Sequence, residues 1–118
     1  MQNNFQDELI LEYMLKIPTL KNDLITGEDS YNYSDKEYND EMQNFQNQID
    51  SAKQKIFDPK DRDNKINEIL FQKNELKIER IIHNKKIAKK HGENIFLYDQ
   101  KLIPLIQSQN KLFKLINF

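Results

Sequence analysis

Apolar residues recur along this chain at helical spacing, and the breaks between the runs carry residues that start or stop helices. Ile10, Tyr13, Met14 and Ile17 fall at i, i+3, i+4 and i+7, which is one face of an amphipathic helix. Asn4 is placed to cap it, with Asp7 in the first turn, where a carboxylate suits the free amides and the helix dipole. Pro18 disfavours α geometry at Ile17 and predicts a new, short helix carrying Leu20, Leu24 and Ile25, which Gly27 ends. Residues 27–33 have turn composition and no period, so they are expected to form a loop. Ser34 with Glu37 three residues later is a capping box opening a third helix. Its apolar positions Tyr38, Met42, Phe45, Ile49, Ala52 and Ile56 are spaced 4, 3, 4, 3 and 4 apart, a heptad stripe. The stripe predicts the face that packs this helix into a bundle. The alternative, a dimeric coiled coil, usually wants more heptads and Leu at d.

Asp58-Pro59 pairs an N-cap with a proline at the first helical position, so the chain changes direction there and enters a long helix. Ile66, Ile69, Leu70 and Leu76 cover one side of it, and Phe71, Ile78, Ile81 and Ile82 widen the apolar surface to most of the circumference. Contact on more than one side is implied. A helix over residues 59–91 would be about 50 Å long at its ordinary rise. Gly92 interrupts it. After Ile95, Phe96, Leu97 and Tyr98 the apolar run continues to the C-terminus, and Pro104 within it predicts either a kink or a helix start near Lys101. Leu102, Ile106, Phe113 and Ile116 approximate one stripe; Leu105, Leu112, Leu115 and Phe118 lie near another. One stripe can face the long helix and the other needs a second partner, which makes Leu105, Leu112, Phe113, Leu115, Ile116 and Phe118 the candidate partner-binding residues. The pattern predicts an all-α fold: a small helical bundle over residues 1–58, then the long helix and a C-terminal helical hairpin over residues 59–118.

Composition supports this picture and narrows it. Of 118 residues, 37% are hydrophobic and 31% charged, and the mean hydropathy is −0.87, polar for a compact globule and suited to helices with much exposed surface. Val and Trp are absent and Gly is limited to Gly27 and Gly92, which argues against a sheet. Without cysteine there are no disulfides or thiolate metal sites, and a reducing cytosol is the natural compartment. The first residues carry neither a basic n-region nor an apolar h-region, and no apolar run approaches the length of a membrane span. A cytoplasmic protein without membrane association is expected. The net charge of −1 conceals an asymmetry: residues 1–58 hold 12 acids and 5 bases, residues 59–118 hold 7 acids and 13 bases. The halves attract each other or sort different partners.

Catalytic chemistry is not legible. No phosphate-binding glycine loop, nucleophile elbow, zinc-protease motif or EF-hand loop occurs, and two glycines cannot build a phosphate cradle. His83 and His91 are eight residues apart and could share a helix face, but no third ligand lies nearby. No enzyme activity, metal or cofactor is expected of this chain. Lys85, Lys86, Lys89 and Lys90 form the one basic run. Its plain reading is a solvated helix end whose cations complement the C-terminal dipole; the functional reading is an accessory patch in weak contact with nucleic-acid phosphate or an acidic partner.

Two stretches carry a resemblance. Glu8-Leu9-Ile10-Leu11-Glu12-Tyr13-Met14-Leu15-Lys16-Ile17-Pro18-Thr19-Leu20 resembles the acidic-apolar helix, proline and leucine that open the C-terminal helicase-binding domain of bacterial DnaG-type primases. Glu75-Leu76-Lys77-Ile78-Glu79-Arg80-Ile81-Ile82, with the basic run, Gly92 and the apolar last helix, resembles that domain's terminal hairpin. The sequence departs from the family in having fewer helices before Gly92. The resemblance implies a non-catalytic tether that docks on the N-terminal domains of the hexameric replicative helicase, with priming done by upstream domains. Two rival expectations are a free-standing helical chaperone or adaptor, for example an export chaperone, and a small phage or plasmid regulator that uses the basic run. Genomic context separates them: an open reading frame continuing upstream into a zinc-binding and a catalytic primase domain marks the first.

Overall fold

The computed structural model describes residues 31–116, nearly all of them in three helices: α1 over Asp35–Lys55, α2 over Pro59–Lys90 and α3 over Phe96–Ile116. No strand occurs among the described residues, and the fold is all-α as the apolar pattern predicts. The two helices expected before residue 27 and the first part of the following loop lie outside the described residues. Residues 31–34 are irregular.

Each boundary has a local cause. Ser34 accepts a hydrogen bond from the Glu37 amide at 3.1 Å while its own amide donates to Glu37 Oε1 at 3.2 Å, so the capping box satisfies two otherwise orphan donors. At the start of α2, Asp58 Oδ1 accepts from the Asp61 amide at 2.9 Å, and Pro59 sits where a missing N–H costs nothing. The end of α2 is a Schellman turn. The Glu93 amide donates to the Ala88 carbonyl at 2.9 Å and the Gly92 amide to the Lys89 carbonyl at 3.2 Å, with Gly92 at φ +69°, the left-handed conformation this turn requires.

The start of α3 removes one of the two alternatives at Pro104, a helix start near Lys101. The helix begins at Phe96, five residues before Lys101, and runs through Pro104. Asn94 supplies the cap, its Oδ1 accepting from the Phe96 amide at 2.9 Å. Proline cannot donate to the carbonyl four residues back, and Pro104 and Gln100 both lie on the exposed side of the helix. Leu102 and Ile106, fully buried on either side of Pro104, hold the helix across it.

The chain divides into two compact units, each discontinuous in sequence: Tyr33–Leu76 with Gln109–Phe118, and Met1–Asn32 with Lys77–Ser108. Helices α2 and α3 contribute to both units. In the unit containing α1, the heptad stripe is the packing face: Phe45, Ile49 and Ala52 are buried and Tyr38, Met42 and Ile56 half-buried. Here α2 is engaged on two sides. Ile69 shares the wall of a crevice of about 290 Å³ with Ala52 and Ile56 of α1. Phe71, about 200° further round the helix, meets Phe113 of α3 with ring centroids 6.3 Å apart. Gln109 is fully buried, and its Nε2 donates to the Phe71 carbonyl at 2.9 Å.

The other unit holds the turn of the α2–α3 hairpin. Ile78 and Ala88 of α2, Leu102 and Ile106 of α3, and Tyr31 are buried in it. The Tyr31 ring lies 5.0 Å from that of His83.

Candidate interaction surface

The apolar pattern draws two stripes on α3, Leu102, Ile106, Phe113 and Ile116 on one and Leu105, Leu112, Leu115 and Phe118 on the other, one of them facing the long helix. The structure divides them differently. Leu102, Ile106, Gln109 and Leu112 are the buried positions, spaced 4, 3 and 3 apart and thus on one face. Leu112 is therefore a core residue of the chain. Leu105 and Ile116 are half-buried. Phe113 is 37% exposed and touches Phe71 with its ring, and Leu115 is 59% exposed. Phe118 lies outside the described residues.

Leu115 and Ile116 are brought together with a polar face of α2. Lys60, Asn64 and Glu68, at i, i+4 and i+8, join Lys114, Leu115 and Ile116 around an open cleft of about 510 Å³. It has an apolar edge on α3 and a mixed-charge edge on α2. This combination can hold a partner's apolar side chain and hydrogen-bond its neighbours. Among the described residues no cluster of His, Asp or Glu could hold a metal ion; His83 stacks against Tyr31 and His91 is exposed in the turn.

The basic run also divides. Lys85 Nζ binds Asp99 Oδ1 at 2.5 Å across the hairpin, with both side chains largely buried. Lys85 is thus a structural tie between α2 and α3 in this unit. Lys86 is half-buried, and Lys89 and Lys90 are exposed in the last turn of α2.

Apolar residues beside the hairpin turn, which the two stripes of α3 do not single out, are also exposed. Ile87 is 42% exposed, Phe96 53% and Leu97 62%. The signal was present, since all three flank the basic run and Gly92, but an apolar residue next to a turn is as easily a core residue as a contact until the neighbouring helix is in place. No described helix is long and apolar enough to cross a membrane. Compared with protein-family models, curated proteins and solved structures, the chain finds no match.

Proposed function

We propose that the chain is a non-catalytic protein-interaction domain that tethers a primase to the replicative DNA helicase. The observation that carries the interaction half of this reading is Leu115, 59% exposed on the wall of a cleft it shares with Ile116, Lys60, Asn64 and Glu68. A leucine left in water beside a shaped cleft is what a docking partner covers. The identity of the partner rests on the likeness of Glu75–Ile82, the basic run, Gly92 and the apolar last helix to the terminal hairpin of DnaG-type helicase-binding domains.

The test is titration calorimetry of the purified chain against the hexameric replicative helicase of the same organism, with Leu115→Asp as the variant. Interface energy concentrates in few residues, so loss of such an anchor is expected to weaken binding by about 2 kcal/mol or more, roughly thirtyfold. Leu115 is preferred to Phe113 because the Phe113 ring also packs on Phe71, where a charge would disturb the unit itself. Circular dichroism checks that the helices persist. A parent chain that does not bind the helicase ends the tether reading, and a variant that binds as tightly as the parent moves the contact off this cleft.

A further inference from the structure

We infer that the chain pairs with a second copy of itself through the α1–α2 turn, the Phe57 ring of each copy entering the crevice between α1 and α2 of the other. Ring and crevice both belong to the unit formed by Tyr33–Leu76 and Gln109–Phe118, and the inference is independent of the helicase reading. Phe57 is 88% exposed, the most exposed large apolar residue among those described. One exposed apolar residue is common on a protein surface. What sets Phe57 apart is its neighbour in the chain, because Ile56 lines the crevice of about 290 Å³, whose apolar floor is Ala52, Ile56 and Ile69. An apolar cavity of about 150 Å³ takes a benzene ring, so this crevice has room for a phenyl group from outside. The backbone on both sides of Phe57 is pinned. The Ile56 amide donates to the Ala52 carbonyl at 3.1 Å, the Asp58 carbonyl accepts from the Arg62 amide at 2.9 Å, and Asp58 Oδ1 caps the Asp61 amide. The ring is thus held in water before a partner arrives, and little ordering is left to do on binding.

Charge names the occupant. The charged residues that line the crevice are Lys55 and Lys65, and among the described residues neither is in an ion pair. A ring that enters between them is best accompanied by carboxylates. Phe57 has that company: Asp58 follows it and Asp61 lies in the first turn of α2, both exposed. Of the bases in the same stretch, Lys60 lines the cleft beside Leu115, about 140° round the helix from Lys65, and Arg62 is half-buried. A two-fold axis beside the turn brings Phe57, Asp58 and Asp61 of each copy to Ala52, Lys55 and Lys65 of the other and closes both contacts at once. Nucleic-acid phosphate would meet the same carboxylates as it met the lysines, and a lipid surface would have to desolvate them. One turn and one crevice per chain make a small contact against the roughly 1,200–2,000 Å² of a stable interface. The copies therefore separate on dilution and pair as concentration rises.

The experiment is sedimentation equilibrium of the whole chain from micromolar to millimolar concentration, at low and high salt. It compares the parent with Phe57→Ser, which removes the ring without adding charge, and with Lys65→Glu, which sets an acid against the acids of the second copy. Both residues are exposed, so the fold is expected to survive. Thermal melting of the dilute proteins checks this, and if Lys65→Glu melts early, Phe57→Ser carries the test. The parent is expected to be monomeric when dilute and dimeric when concentrated. Phe57→Ser should raise the dimer dissociation constant about tenfold or more at both salts, and Lys65→Glu should raise it by a factor that shrinks as salt rises. A parent that stays monomeric to millimolar concentration overturns the inference, and so does a Phe57→Ser variant that pairs as tightly as the parent. Weakening by Phe57→Ser with no effect of Lys65→Glu at either salt would seat the ring outside the crevice and overturn the pairing as drawn.

Discussion

Replacing Phe45 by alanine tests whether α1 is held by its heptad stripe within a single chain. The ring sits in the middle of the stripe, with only 8% of the residue exposed, and the next two stripe positions, Ile49 and Ala52, are buried as well. Removing the phenyl group forfeits the roughly 1.5–3 kcal/mol gained by burying such a side chain. A residual cavity of roughly 80 Å³ adds about 2 kcal/mol at the measured cost per unit volume. The two terms place Phe45→Ala at about 3–5 kcal/mol, the usual range for this change and a large share of the roughly 5–15 kcal/mol that holds a domain together. For a chain of this size that is a fall in melting temperature of roughly 10 °C or more. Thermal unfolding followed by circular dichroism reads it, with Asn39→Ala on the exposed face of α1 as a control expected to stay within about 0.5 kcal/mol. Sedimentation at the working concentration establishes that both proteins are monomers. An unchanged melting temperature in monomeric Phe45→Ala would refute the burial argument, and a melting temperature that rises with protein concentration would return the stripe to a coiled coil between chains.

Two further outcomes follow from particular backbone and side-chain environments. Gly92→Ala is expected to cost about 1–2 kcal/mol, because the added Cβ meets no atom within 4 Å and the loss comes from the left-handed φ of +69° alone; Gly92→Asn should recover part of it in urea unfolding, and equal losses for both would point to a cause other than backbone strain. Burial raises the pKa of Glu75 above its ordinary 4.5, so the folded state holds this proton more tightly than the unfolded chain does. Its contribution is then complete below about pH 4.5 and is lost as pH rises through the folded value. Glu75→Gln should therefore gain stability relative to the parent between pH 4 and pH 7, and a difference that does not change with pH would show the carboxylate to be solvated.

The features legible in the sequence are those with local causes. Ser34 with Glu37, Asp58 with Pro59, and Gly92 after a basic turn each satisfy or terminate backbone groups within a few residues of themselves, and each marks a helix boundary in the structure. The α1 stripe was legible because one apolar face repeats over six positions with polar residues between. Of the two outcomes that Pro104 allows, a kink or a helix start near Lys101, the second does not occur, because Asn94 upstream and the buried pair Leu102 and Ile106 outweigh the backbone preference of proline. Lys85 was counted with a surface patch because its partner is fourteen residues away, beyond any spacing rule for one helix.

The end of α3 shows most clearly where periodicity stops deciding. Leu112, Phe113, Leu115 and Ile116 stand so close together that a helical face can be drawn through either half of them. What selects the face is Gln109. Its Nε2 reaches the Phe71 carbonyl, which, as a carbonyl within α2, already serves the helix with one lone pair and keeps the other for an outside donor. A glutamine in this place is rejected by any rule that fills the core with apolar residues. Once buried there, it carries Leu112, three residues on, inward with it. Phe113 then turns to the flank of Phe71, and Leu115 is left at the cleft beside Lys60 and Glu68. One polar side chain thus decides which leucine is core and which is left exposed.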